Sequence, residues 1–377
     1  MKNLIPERVP LSLYIHFPWC EKKCPYCDFN ININKKDGDE ESLVKAILKD
    51  LDMSHDYIAD RKFTSVYFGG GTPSLISPKI IEQIANKLKK LNLVEDNCEV
   101  SFELNPKEVN KNYLGDLIDI GINRVSIGIQ SFDQDILNTL ERNHGSRDAI
   151  NALEVVSGFK SIDTTIDLIY GNMKQTLKSF VTDINKFCSF NIDHLSLYQL
   201  TIEPNTIFYK KELIMPEDTL IESMEIAAKE ILNKNNLYQY EVSSWAKKGS
   251  QSRHNMNYWM YGDYLGLGPG AHSKITMKNS ITRMIKLKKV GSYINNPSKT
   301  VNTSITPETY DLDLAMNLLR IKDGVSFEDL TSKNIYLSES FLRKLKKGVS
   351  ESLLEEGGIK ATNMGYKFLN DTVNIFN

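Results

Sequence analysis

The stretch YIHFPWCEKKCPYCDF, residues 14–29, decides the fold of this chain. Three of the five cysteines, Cys20, Cys24 and Cys27, lie within it in a C-x3-C-x2-C spacing. Thiolates this close on one loop can converge on one inorganic centre, and thiolate ligands select iron–sulfur clusters, zinc or copper(I). A cubane [4Fe–4S] cluster has four irons, so three cysteines leave one iron open to a ligand that is not a side chain. A cluster that acts chemically on a bound molecule needs this open position, whereas a cluster that only relays electrons usually has four protein ligands.

A structural zinc site is the alternative interpretation of these cysteines. Such a site takes four protein ligands, and His16, which precedes Cys20 by four residues, is a candidate for the fourth. Cysteines without any metal are a further alternative, which their clustering disfavours. Cys98 and Cys188 stand alone in apolar segments and are predicted to be buried thiols.

Composition excludes several classes of protein. The 377 residues suffice for one large domain and a smaller one. Lys and Arg (46) nearly balance Asp and Glu (48), which argues against a nucleic-acid partner. No apolar run approaches the ~20 residues of a membrane span, and residues 1–17 do not follow the pattern of a signal peptide. We therefore predict a reduced cytoplasmic setting, in which an oxygen-sensitive cluster could persist; a peripheral membrane contact is compatible with this prediction.

The order of predicted elements indicates the fold class. Strands and helices alternate about six times between residues 9 and 200, which is typical of parallel βαβ units. We predict an α/β fold: a partial or complete (β/α) barrel, with functional groups at the C-terminal ends of its strands, and a small, mostly helical C-terminal domain. The predicted division is residues 1–235 for the barrel core, 236–300 for a barrel-associated segment and 301–377 for the helical accessory domain.

Polar groups follow several of the predicted strands. The turn Gly69–Pro73 (GGGTP) comes directly after one strand, and its glycines would let the backbone approach a ligand closely and leave N–H groups free to bind it. Such a turn is by itself equally consistent with a tight turn, and no G-K-[ST] follows to make a Walker A loop. Glu103 and Gln130 end later strands, and Arg142 follows. Asp167 lies in an apolar strand, where a carboxylate is costly to bury unless it is paired or bound to a ligand.

The cysteine spacing, after an aromatic-rich strand and before Asp28-Phe29, resembles the radical S-adenosylmethionine (SAM) superfamily. The fuller string resembles one branch of it, the oxygen-independent coproporphyrinogen oxidases and their haem-chaperone relatives of the HemW type. The resemblance implies that SAM chelates the open iron through its amino and carboxylate groups, and that an electron donor reduces the cluster and so cleaves SAM to a 5′-deoxyadenosyl radical. It implies a SAM site formed by Tyr14, Tyr26, Gly70, Gly71, Thr72, Glu103, Gln130, Arg142 and Asp167. Within that site the glycine-rich turn would hold the methionyl amino group, with Arg142 near the carboxylate and Asp167 near the ribose.

Two departures distinguish the members of this branch. The oxidases carry an additional cysteine two residues after the third, where this chain has Phe29. They also have a longer N-terminal segment, whereas 13 residues precede Tyr14 here. Both differences disfavour an oxidase that decarboxylates coproporphyrinogen III to protoporphyrinogen IX, which remains the alternative function. No catalytic residue is assigned.

The string HNMNYW, residues 254–259, favours the haem chaperones. Histidine is a common axial ligand of haem iron, and Tyr258 and Trp259 offer flat surfaces for a porphyrin. On physical grounds alone, a lone histidine such as His254 is more often a hydrogen-bonded structural residue. In HemW-type chaperones the string is a haem-binding signature, so the resemblance implies haem at His254, Tyr258 and Trp259 with His254 on the iron. His272, in the segment GPGAHS, is a second and weaker candidate. The resemblance further implies client proteins that accept haem, such as respiratory enzymes, and is compatible with a homodimer.

Overall fold

The computed structural model describes residues 4–377. Its central element is a twelve-stranded sheet. The order of its strands is β12-β11-β10-β9-β1-β2-β3-β4-β5-β6-β8-β7. The strands are β1 (Leu11–Phe17), β2 (Phe63–Gly70), β3 (Val94–Leu104), β4 (Arg124–Gln130), β5 (Asp163–Tyr170), β6 (His194–Gln199), β7 (Tyr238–Glu241), β8 (Ser244–Ala246), β9 (Asp263–Leu267), β10 (His272–Met277), β11 (Ser280–Lys286) and β12 (Thr300–Ile305). A separate pair consists of β13 (Val325–Ser326) and β14 (Gly358–Ile359). The α-helices are α1 (Asp39–Met53), α2 (His55–Ile58), α3 (Pro78–Lys90), α4 (Lys111–Ile120), α5 (Gln134–Thr139), α6 (Ser146–Val156), α7 (Leu177–Cys188), α8 (Asp218–Lys234), α9 (Arg253–Trp259), α10 (Val290–Asn295), α11 (Pro307–Leu318), α12 (Phe327–Ser332), α13 (Glu339–Ser350), α14 (Asn363–Lys367) and α15 (Leu369–Asn374).

The centre of the sheet is parallel. Strand β9 and then β1 to β6 run in one direction, and helices connect β1 to β6 in succession. Antiparallel strands flank this block on both sides, β10 to β12 beyond β9 and β7 with β8 beyond β6. Because the two ends of the sheet are β12 and β7, the barrel is partial. The predicted α/β fold is confirmed in this form.

Apolar side chains between the sheet and its helices form the main core. In β1, Leu13 and Ile15 are completely buried, and α3 presents Ile81, Ile84 and Leu88 to the sheet at helical spacing. Burial of each such side chain contributes about 1.5–3 kcal/mol. This packing holds the parallel strands in register and so places their C-terminal ends together.

The chain from Pro307 onward is mostly helical and packs around a second core, to which Tyr261 and Ile281 also contribute. Its helices pack around Leu314, Leu330 and Phe341, which are fully buried. This agrees with the predicted small helical C-terminal domain, while the three segment boundaries stay a prediction. Within residues 4–377, no helix combines the length and apolar character needed to cross a bilayer.

Strands β9 to β12 were not expected from the sequence. Strand β9 pairs with β1 in parallel, Leu265 opposite Leu13, so its partner lies some 250 residues away in the chain. A buried ion-pair cluster fixes this junction, because Asp263 accepts hydrogen bonds from Arg61 (2.7 Å) and Lys274 (2.9 Å). Local sequence pattern carries no signal for contacts of this range.

All five cysteines carry free thiols. Cys98 is buried, as predicted. The prediction that Cys188 is buried is wrong, because the residue ends α7 and is half-buried there.

Candidate cofactor site

A cavity of about 480 Å³ opens at the C-terminal ends of the parallel strands. The cysteine loop after β1, the glycine-rich turn after β2 and the ends of β3 to β6 surround it. Parallel strands bring their carboxyl ends to one edge, which is where sites form in barrels of this kind. The structure thus brings together most of the predicted cluster and SAM residues in one cavity. They are Cys20, Cys24, Tyr26, Cys27, Gly70, Gly71, Thr72, Glu103, Gln130, Arg142 and Asp167.

The cysteine loop is closed at its base by backbone hydrogen bonds. The Asn32 N–H donates to the Pro18 carbonyl (2.7 Å), and the Cys20 N–H donates to the Asn32 carbonyl (3.1 Å). Between these points all three cysteines face the cavity. Burial raises the pKa of Cys20 to about 11 and also raises the pKa of Cys27. Both thiols are therefore protonated at neutral pH, and a bound metal would have to displace those protons.

The glycine-rich turn supports the cysteine loop. The Gly71 N–H donates to the Phe17 carbonyl (2.7 Å) and the Thr72 N–H donates to the Trp19 carbonyl (2.8 Å). A Cβ atom on Gly71 would lie 2.6 Å from the Trp19 carbonyl oxygen. The glycines therefore allow close approach of the backbone, but to the neighbouring cysteine loop. The expectation that the N–H groups of this turn are free to bind a ligand is wrong for Gly71 and Thr72. An amino group donates hydrogen bonds, so it would have to bind carbonyl oxygens of this turn.

Two carboxyl groups lie deeper in the cavity. Glu103 accepts hydrogen bonds from the Tyr67 hydroxyl (2.9 Å) and the Gly70 N–H (3.0 Å), and burial raises its pKa to about 7. Asp167 accepts a hydrogen bond from the Ser126 hydroxyl (3.0 Å), and burial raises its pKa to about 6. Both carboxyl groups can accept hydrogen bonds from hydroxyl or amine groups of a ligand, and a pKa of about 7 lets Glu103 also donate one near neutral pH.

Arg142 brings a half-buried cation beside the cysteine loop. Its Nη1 lies 3.6 Å from the Cys24 sulfur and 3.2 Å from the Tyr26 hydroxyl, and its Nη2 donates to the Gly128 carbonyl (3.0 Å). Its Nε is buried and has no partner among the described residues. Gln130 ends β4 with a left-handed φ of 66°, a conformation that costs free energy for a residue with a Cβ. A carboxylate ligand would satisfy the free Nε and the positive charge together.

The comparisons with known proteins agree with this geometry. Residues 14–187 match the family described as the Radical SAM superfamily. The chain is 36% identical to a protein named heme chaperone HemW from Buchnera aphidicola subsp. Acyrthosiphon pisum, over 97% of this chain and 98% of that one. It is also 36% identical to heme chaperone HemW of Haemophilus influenzae, over 99% of each chain. The chain belongs to the HemW family of the radical SAM superfamily. Coproporphyrinogen III oxidase (HemN) from Escherichia coli shares its fold, with a TM-score of 0.81 and 20% identity over 99% of this chain and 91% of that one.

Membership of the radical SAM superfamily implies SAM and a [4Fe–4S] cluster, and the residues of this HemW-family chain fit both. The three thiols line the same cavity, although no three ligand-type side chains within residues 4–377 already surround one metal position. Thr72 donates a hydrogen bond to the Cys20 sulfur (3.4 Å), and Arg142 stands at Cys24. The unpartnered Nε of Arg142 suits a carboxylate. Sulfur donors and a carboxylate-binding cation are the groups that a cluster carrying SAM requires.

His16 is not placed to complete a zinc site. Its Nδ1 is hydrogen-bonded to the Tyr14 hydroxyl (3.0 Å) and its Nε2 to the Asn30 carbonyl (2.8 Å). With both ring nitrogens engaged, His16 would have to break a hydrogen bond to bind metal. The zinc alternative therefore loses its fourth ligand.

A second cavity of about 550 Å³ adjoins the first. It lies between β1, α9 and the start of β10, and the lining residues that the two cavities share include Phe29, Tyr67 and Glu103. Tyr14, predicted for the SAM site, lines this second cavity. Its volume lies in the range typical of small-molecule sites, about 300–1,000 Å³.

Helix α9 carries the HNMNYW string and presents its residues to different surroundings. His254 and Tyr258 face the second cavity one turn apart, with His254 Nε2 hydrogen-bonded to the Tyr258 hydroxyl (2.7 Å) and Nδ1 to the Ser65 hydroxyl (2.8 Å). Burial lowers the pKa of His254 to about 3. Trp259 packs against the C-terminal core instead, where the Arg320 guanidinium lies 4.2 Å from its ring. Haem ligation by His254 stays a prediction, and here neither ring nitrogen is free for iron.

Sequence reasoning missed several lining residues of the two cavities. Tyr198, near the end of β6, lines both cavities and is 42% exposed. Tyr67 holds Glu103 in place, and Lys288 lies at the edge of the second cavity. The strand-end position of Tyr198 was a usable signal, whereas Lys288 reaches the cavity only through the unexpected strands β10 and β11.

Proposed function

We propose that this protein is a haem-binding chaperone that retains a SAM-coordinating [4Fe–4S] cluster and delivers haem to haem proteins. The observation that carries the proposal is the second cavity. It is walled by aromatic rings such as Tyr14, Tyr67 and Tyr258, which offer a porphyrin flat apolar surfaces, and it adjoins the cysteine-loop cavity. The chain is 36% identical, over nearly its full length, to proteins named heme chaperone HemW, which supports the same function.

The residues of the first cavity would hold the cluster and SAM. Cys20, Cys24 and Cys27 would bind three irons, and Arg142 would pair with the SAM carboxylate through its free Nε. Asp167 would accept a hydrogen bond from a ribose hydroxyl. When bound, the cluster supplies the electron for reductive chemistry on SAM. The loop hydrogen bonds of the glycine-rich turn would keep the three cysteines on one side of the cavity.

Phe29 argues against the oxidase alternative. It occupies the position at which the oxidases carry an additional cysteine, is 59% exposed and lines both cavities. A phenyl ring there extends the apolar surface available to a porphyrin and offers no ligand or acid–base group. We therefore expect no decarboxylation of coproporphyrinogen III.

The function requires haem-accepting client proteins and an electron donor for the cluster. We place the protein in the cytoplasm, where free thiols such as its five cysteines stay reduced. A homodimer and a peripheral membrane contact remain predictions from the sequence.

Anaerobic reconstitution followed by haem titration tests the proposal. We expect wild-type protein to bind four irons and four sulfides per chain, which is one cubane, and to develop a Soret band with added hemin. It should then transfer that hemin to apomyoglobin faster than a non-specific carrier such as serum albumin does. Cys20→Ala is expected to lose the cluster while keeping its hemin. Absence of hemin binding, or conversion of coproporphyrinogen III with dithionite and SAM, would overturn the proposal.

A further inference from the structure

Three histidines border the second cavity, and they differ in whether a ring nitrogen can reach iron. His16 and His254 each have both ring nitrogens in hydrogen bonds and are at least 95% buried. His272, the first residue of β10, is exposed, and its ring makes no side-chain hydrogen bond to any residue between 4 and 377. An axial ligand must offer an unshared nitrogen lone pair to the iron.

We infer that His272 is the axial ligand of haem iron in this protein, and that His254 is a structural part of the cavity wall. This inference rests on the proposed haem-binding function and assigns the ligand within it. His254 Nδ1 and Nε2 already bind Ser65 and Tyr258, so ligation through either nitrogen would break a hydrogen bond. His272 would ligate iron without breaking any contact.

The charge around His272 suits haem. Lys288 lines the same cavity, is exposed and forms no ion pair with any described residue. Haem carries two propionate carboxylates, and an unpaired ammonium at the cavity edge is the group that would receive one of them. Burial and the neighbouring cations Lys288 and Arg283 lower the pKa of His272, which keeps its ring neutral and able to ligate. Arg283 is itself paired with Asp313 (2.7 Å).

The turn that carries His272 is fixed to the cysteine loop. Asn30, three residues after Cys27, donates from its Nδ2 to the carbonyls of Pro269 and Lys288, both at 2.9 Å. Gly270 has φ +74°, and a Cβ there would lie 2.7 Å from Asn30 Nδ2. The ligand and the cation are therefore held at a defined place beside the cluster loop, as a specific cofactor site requires.

Hemin titration of three folded variants tests the assignment. We expect His272→Ala to weaken hemin binding at least about tenfold, since even outer-shell partners of metal ligands cost 10–100-fold, and to shift the Soret maximum. Added imidazole should restore the wild-type spectrum, because it replaces the missing ligand. His254→Gln, which can keep hydrogen bonds to Ser65 and Tyr258, should retain the Soret position. His55→Ala, in an exposed helix turn, is the matched control and should leave both affinity and spectrum unchanged.

The propionate contact has its own pair of variants. Lys288→Ala should weaken hemin binding several-fold without moving the Soret maximum, while Lys289→Ala, its exposed neighbour outside the cavity lining, should bind as wild type.

The outcomes separate the inference from the proposed function. A wild-type spectrum and affinity in His272→Ala, with loss of the Soret band in a His254→Gln protein whose circular dichroism is native, would overturn the assignment of His272 alone. Failure of the wild-type protein to bind hemin in either cluster state would overturn the proposed function and this inference with it.

Discussion

Gly71→Ala tests whether the glycine-rich turn exists to support the cysteine loop. The new Cβ would lie 2.6 Å from the Trp19 carbonyl oxygen and 2.8 Å from that of Pro18, whereas ordinary contacts begin at 3.4 Å. All the nearest atoms are backbone, so no flexible side chain can yield. The loop would have to move, at the expense of the hydrogen bonds from Gly71 and Thr72 to Phe17 and Trp19.

The size of the effect follows from these contacts. Each of the two backbone hydrogen bonds is worth about 0.5–1.5 kcal/mol net, and overpacking of a tight contact costs about 1–3 kcal/mol. Since the loop either keeps the strain or loses the bonds, we expect the free energy of unfolding to fall by about 1–3 kcal/mol. Displacement of the loop should also reduce the iron bound per chain after anaerobic reconstitution.

Urea unfolding and iron analysis of Gly71→Ala beside Gly115→Ala measure this effect. Gly115 lies inside α4 with no atom within 4 Å of its would-be Cβ, so alanine there should stabilise the helix by about 1 kcal/mol and leave the iron content unchanged. If Gly71→Ala unfolds at the wild-type urea concentration and binds a full complement of iron, the turn does not position the cysteines as argued.

Three further predictions concern the cluster, a titrating carboxyl and a buried ion pair. Cys20→Ala should lose nearly all reconstituted iron, while Cys188→Ala, remote from the loop, should retain it; equal iron contents would contradict the cluster assignment. Because burial raises the pKa of Glu103 from 4.5 to about 7, the folded protein holds a proton that the unfolded chain releases, so stability should fall by at most about 3 kcal/mol as pH rises through that window. Glu103→Gln should make this decline shallower in urea unfolding, and an unchanged pH dependence would refute the titration. Lys274→Met removes one partner of the buried Asp263 carboxylate and should lower the free energy of unfolding by about 3 kcal/mol. Lys278→Met, at an exposed position in the next turn, should change that free energy little. Equally small changes in both variants would show that the buried pair contributes no stability.

The barrel core could be predicted from local pattern because each of its strands is buried and followed by an amphipathic helix. The alternation of strands and helices expected between residues 9 and 200 is found from β1 (Leu11–Phe17) to β6 (His194–Gln199). The strand ends then had to meet at one edge, so Glu103 and Asp167 could be assigned to one site before the structure was known. Strand β9 could not be predicted, because its pairing with β1 depends on contacts between distant segments.

The string HNMNYW, residues 254–259, shows why neighbours in sequence need not line the same cavity. Consecutive residues of a helix point about 100° apart, whereas residues four apart share a face. Tyr258 therefore faces the second cavity with His254, while Trp259 turns to the C-terminal core and Arg320. The sequence also contained no sign that both nitrogens of His254 would be bonded, since Ser65 reaches it from β2.

The sequence by itself determined the ligand chemistry: three thiols on one loop, glycines at the next strand end, and polar groups after the strands that follow. These are local properties, set by residue type and spacing. Only the tertiary structure decided which imidazole is accessible, because Asn30 and Ser65 engage His16 and His254, whereas the His272 ring has no hydrogen-bonded partner among residues 4–377. It also decided that the two cavities adjoin, because β9 and β10 fold back beside β1 and bring Lys288 to the cysteine loop.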